Sequence, residues 1–178
     1  GQDRPADGGR GVDGRGRRAV TENDFCRRCA ADGKRTMAYK LHFISLGCAK
    51  NMVNCEQMMA LCRDAGMELC PSPEGCDAAV VNTCGFLSSA NEEAIENILA
   101  MAELKKAGKL KKILVTGCMT QRYQGEVAKE LPEVDGILGT GSYKDIVDAV
   151  ETVMAGGTVS RFDDINAPVD EFGRVLTT

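Results

Sequence analysis

The sequence has no tryptophan, one histidine and only 4% aromatic residues. The histidine, His42, sits inside an apolar run, where a packed strand residue is the expected role. Any Ser–His–Asp or Cys–His machine would have to be built on it, and no catalytic residue is assigned. Long apolar runs are missing too: none approaches the ~20 residues of a membrane-spanning helix, and no apolar signal core opens the chain. A cytoplasmic protein away from membranes is expected. Basic charge is short as well. With 22 Lys and Arg against 26 Asp and Glu, the net charge is −4 and the pI near 5.2. That balance makes no electrostatic case for direct nucleic-acid binding by this chain.

The sequence does contain nine cysteines and twenty glycines in 178 residues, 43% of them hydrophobic. This is enough for one domain with a proper core and tails. An odd cysteine count without a secretion signal argues for ligands or catalytic thiols rather than a disulfide framework. Three cysteines stand in a common setting. An apolar run from Leu41 to Leu46 ends in Gly47–Cys48, Ala78 to Asn82 runs into Thr83–Cys84–Gly85, and Ile113 to Thr116 runs into Gly117–Cys118. A helix-like segment follows each. Cys48 and Cys84 are 36 residues apart and Cys84 and Cys118 are 34, about one βαβ step. The repeat predicts an α/β fold, a parallel sheet flanked by helices on both faces. All three thiols would then leave its carboxyl edge, where open α/β sheets bind ligands.

Residues 1–36 read as a disordered extension, rich in Gly and Arg with little to bury. The chain opens on Gly1, and Met37 looks like a natural start, so a fragment or processed product is expected. Cys26 and Cys29 form a lone CxxC without the second pair a zinc knuckle needs. The domain proper is expected over 37–156, with strands near 41–46, 78–82, 113–116 and 136–138 and a further possible one at Met67–Leu69. Cys55 and Cys62 fall at helical spacing in a segment from Met52 to Ala65 and are expected in the core. Cys70 and Cys76 lie in a loop broken by Pro71 and Pro73, before a strand and so at the opposite sheet edge. Ala94, Ile95, Ile98 and Ala102 are the expected buried stripe of a long helix near 88–107. Gly139–Thr140–Gly141 offers a phosphate cradle or simply a turn capped by Ser142. Residues 157–178 turn polar and aperiodic and are expected to be a linker to a missing domain.

The segments Ser45–Leu46–Gly47–Cys48–Ala49–Lys50–Asn51, Asn82–Thr83–Cys84–Gly85–Phe86 and Val115–Thr116–Gly117–Cys118 resemble the N-terminal domain of the radical-SAM methylthiotransferases. The resemblance covers about 40–156. Arg174 to Thr178 is similar to the join with that family's radical-SAM barrel. Lys50 after Cys48–Ala49, and Gly85–Phe86 after Cys84, resemble the branch that modifies an aspartate of a small-subunit ribosomal protein. The sister branch, acting on tRNA adenosine, typically has Gln after its first cysteine and Ser or Ala after its second.

The resemblance implies that Cys48, Cys84 and Cys118 are the thiolate ligands of an auxiliary 4Fe–4S cluster with one open iron. It places a second 4Fe–4S cluster and S-adenosylmethionine in a radical-SAM domain bound through CxxxCxxC. No such spacing occurs among these 178 residues. The chain is therefore expected to be inactive alone, with a ribosomal small-subunit protein as substrate of the full enzyme. The sulfur source is left unassigned. Cys55 stands where the family usually has serine. Alternatives are the same domain from a tRNA methylthiotransferase, or a non-catalytic zinc or iron–sulfur module.

Overall fold

Apolar runs alternate with helical stripes along the chain, and each run becomes a strand. The computed structural model describes residues 38–85 and 88–165. The stretch 1–36 with Cys26 and Cys29, together with Met37, Phe86 and residues 166–178, lies outside the described residues.

Strand β1 is Lys40–Ser45, followed by helix α1, Ala49–Asp64, and the short strand β2, Glu68–Leu69. Then come β3 (Ala78–Thr83), α2 (Ser88–Lys106), β4 (Lys112–Gly117) and α3 (Cys118–Glu130). Strand β5, Gly136–Gly139, leads through a 3-10 turn, Thr140–Asp145, into α4, Ile146–Met154, and β6 is Val159–Arg161. The strands form one six-stranded sheet in the order β2-β1-β3-β4-β5-β6. Every pairing is parallel. This is the expected α/β architecture, and the four strands expected from the apolar runs are all in it.

All six residues of β3 are buried, as a central strand covered on both faces requires. Its side chains alternate between two cores with the period of two that a strand imposes. Ala78 and Val80 join Met58 and Cys62 of α1 and Ile146 and Val150 of α4. Ala79 and Val81 join Ala94 and Ile98 of α2 and Met119 and Val127 of α3. Fully burying a Val, Leu or Ile contributes about 1.5–3 kcal/mol, so these two layers are the main driving force. No helix among the described residues is long and apolar enough to cross a membrane.

Three details differ from the sequence expectations. Ile95 is 40% exposed and faces, with Leu99, an apolar groove between α2 and α3 instead of the core. Ser142 caps no helix. Its buried hydroxyl donates to Asp163 Oδ2 at 2.8 Å and accepts from the Asp163 N–H at 2.9 Å. The sheet also runs past residue 156, because β6 pairs with β5 from Val159↔Gly136 to Arg161↔Leu138.

Candidate metal centre

Strands β1, β3 and β4 are neighbours, with Ser45 opposite Asn82 and Thr83 opposite Gly117. Because all three run the same way, their following loops leave one edge. Cys48 is the N-cap of α1, Cys84 is the first residue after β3, and Cys118 is the first residue of α3. The three sequence-predicted residues are thus delivered to the carboxyl edge.

Glycines let these loops touch. Gly47 has φ +102°, and a Cβ there would land on the Cys84 side chain. A Cβ at Gly85 would stand 2.8 Å from the Cys118 carbonyl and the Met119 nitrogen. Gly117, at φ +107°, has no room for a Cβ beside the Thr83 oxygen. Each cysteine loop therefore rests on the next, at spacings only glycine allows.

Side-chain amides and hydroxyls knit the same edge. Asn51, 1% exposed, donates from Nδ2 to the Thr83 oxygen at 2.8 Å and to the Leu46 oxygen at 3.2 Å. Asn82 Nδ2 donates to the Asn51 carbonyl at 2.6 Å, and Thr83 Oγ1 to the Thr116 carbonyl at 2.6 Å. Thr120 Oγ1 reaches the Gly117 and Leu138 carbonyls, and Arg122 Nη1 the Gly85 carbonyl at 3.2 Å. The Cys118 thiol donates to Asn51 Oδ1 over 3.6 Å. These residues were missed as functional in the sequence. The available signal was a polar Asn82–Thr83 pair ending an otherwise apolar strand, since buried amides and hydroxyls require partners.

The thiols differ in exposure: Cys48 is exposed, Cys118 half-buried and Cys84 buried. The Asn51 backbone N–H, more than any other group, holds the Cys48 thiol below its ordinary value. Burial opposes it, and the N–H and charge of Lys50 assist. A thiol so placed gives up its proton readily, as a metal ligand must.

The remaining described cysteines sit elsewhere. Cys55 and Cys62 are in the core under α1, where burial pushes them up to about 11 and about 12. Cys70 and Cys76 lie between β2 and the start of β3, at the opposite edge, with the Cys76 thiol donating to the Ser72 carbonyl at 2.9 Å. Burial, then the neighbouring Cys70 sulfur, pushes Cys76 up to about 11. His42 is half-buried, its Nδ1–H donating to the Cys70 carbonyl at 2.9 Å. At Gly141 the backbone oxygens of Asp163 and Asp164 fill the space a Cβ would need, so this glycine turn is packed by the chain itself. Among the described residues, no three His, Cys, Asp or Glu side chains gather tightly enough to hold a single metal ion.

The sequence profile of the uncharacterized protein family UPF0004 matches residues 40–139, from the start of β1 to the end of β5. Several curated relatives carry the name ribosomal protein uS12 methylthiotransferase RimO. The one from Lachnoclostridium phytofermentans is 48% identical over 127 residues, 71% of this chain and 29% of the relative. That from Clostridioides difficile is 50% identical over 132 residues, 74% of this chain and 30% of the relative. That from Symbiobacterium thermophilum is 42% identical over 140 residues, 78% and 29% of the two chains. The chain thus spans about three tenths of the length of the relatives it matches.

Proposed function

The chain belongs to the uncharacterized protein family UPF0004, and from that premise we propose that it is the cluster-binding N-terminal part of a radical-SAM methylthiotransferase. In this reading Cys48, Cys84 and Cys118 hold an auxiliary 4Fe–4S cluster. The full enzyme adds a methylthio group to the β-carbon of an aspartate in a small-subunit ribosomal protein. The relatives' shared name supports that substrate over tRNA. The observation that carries the reading is the delivery of three glycine-flanked thiols, on mutually touching loops, to one sheet edge.

The donor set suits a cluster. Thiolates on separate irons stand farther apart than ligands of one ion, and structural zinc sites are usually closed by four ligands. Cys48, Cys84 and Cys118 would hold a 4Fe–4S cluster by three thiolates, and the group would supply an iron without a protein ligand for sulfur bound for the substrate. The chain's residues prepare for it. Gly47, Gly85 and Gly117 let the backbone approach closely. Cys48 enters from the solvent side with its proton already loosened, and Cys84 from the interior. The Asn51 and Asn82 bonds hold the loops while protons leave the thiols.

Anaerobic reconstitution of the whole chain with ferrous iron and sulfide tests this. The expected product is brown, with iron and acid-labile sulfide in equal amounts and about four irons per chain. A colourless protein that takes zinc and no sulfide would contradict it.

A further inference from the structure

We propose that Asn51 is the positioning residue of the site: without being a ligand, it fastens the three cysteine loops together before metal arrives. The inference rests on the cluster reading and names the residue that makes the site ready for it.

One carboxamide touches all three loops. Nδ2 has two hydrogens, and both are used, on the Leu46 carbonyl that precedes Gly47–Cys48 and on the Thr83 carbonyl that precedes Cys84. Two carbonyl acceptors on one side fix the amide orientation, because an oxygen turned toward them would be repelled. Oδ1 is thereby aimed at the third loop, where it receives the Cys118 thiol. At 3.6 Å the sulfur contact is the weakest of the three, so the two N–H bonds dominate the tie. Asn51 is itself anchored by the Asn82 amide on its backbone carbonyl.

Asparagine is the residue type this geometry needs. Serine is too short to span two carbonyls, and aspartate would set oxygen against oxygen. Glutamine adds a methylene that would push its amide past carbonyls already at 2.8 and 3.2 Å. Free loops would have to lose their conformational freedom when the metal binds, and Asn51 removes that cost beforehand.

The test compares Asn51→Ala and Asn51→Asp with Met58→Ala. Met58 is fully buried on the same helix but packs in the core beneath α1. It therefore reports general destabilisation alone. The first readout is alkylation of Cys84 by iodoacetamide in the metal-free chain, followed by mass spectrometry. The second is iron retained after anaerobic reconstitution. Both Asn51 variants should alkylate Cys84 several-fold faster than Met58→Ala does, and lose about 10–100-fold in metal affinity. Asn51→Asp keeps the side-chain shape, so it remains readable if the alanine variant does not fold. Alkylation no faster than in Met58→Ala, with iron retained, overturns the role of Asn51. Accelerated alkylation in a chain whose unaltered form takes up no iron keeps the tie and overturns the cluster reading instead.

Discussion

Gly117 holds φ at +107° with the Thr83 oxygen beside it, so a side chain there meets both a disfavoured backbone region and a filled space. Gly117→Ala should cost about 1–3 kcal/mol from the dihedral alone, with more from the contact. Urea denaturation checks this, and an unchanged midpoint would mean the β4–α3 turn can relax. The cysteines divide at the same scale. Cys55→Ala or Cys62→Ala removes only a small buried group, at about 1 kcal/mol, and leaves iron uptake intact. The thiols of the candidate site were legible because each follows an apolar run and neighbours a glycine. Asn51 and Asn82 were not, because their importance lies in partners brought from 31 or 32 residues away. Ile95 was misplaced because helical spacing marks an apolar stripe without saying which part of it another element covers.

At the scale of elements, the edge opposite the thiols is fastened by ion pairs. Asp135, entering β5, accepts from Lys105 of α2 at 2.5 Å, from Lys112 of β4 at 2.8 Å and from the Ile113 N–H at 3.0 Å. Burial alone would raise the Asp135 carboxyl, but the two lysines outweigh it and hold the group below its ordinary value of 3.8. A depressed carboxyl binds fewer protons folded than unfolded. Its stabilisation is therefore full above about pH 4 and lost as pH falls through the lower folded value. Asp135→Asn should destabilise by about 1–3 kcal/mol at neutral pH. It should also flatten the decline of stability below pH 4, as followed by thermal melts across pH. An unaltered acid limb would show that other carboxylates control acid unfolding. The strand–loop–helix alternation made the parallel sheet legible. Strand β6 escaped because three residues at an edge, only Val159 of them buried, carry too little hydrophobic pattern to read.

Among the described residues, the ion pairs of Asp77 and Asp135 lie at the amino edge of the sheet, and Cys48, Cys84 and Cys118 at the carboxyl edge. No CxxxCxxC occurs in the 178 residues, so under the proposed function this chain has no ligand set for a radical-initiating cluster. The chain with S-adenosylmethionine, reductant and small-subunit ribosomal protein should yield no methylthio product by mass spectrometry. Product from this chain alone would show that both halves of the chemistry reside in it. The three-thiolate site is tested most directly by iron content after anaerobic reconstitution of variants that each lose one cysteine. Cys48→Ala, Cys84→Ala and Cys118→Ala should each lose most of the iron, while Cys55→Ala keeps it. Loss in Cys55→Ala as complete as in Cys84→Ala would contradict the open three-ligand site and put a closed four-cysteine site in its place.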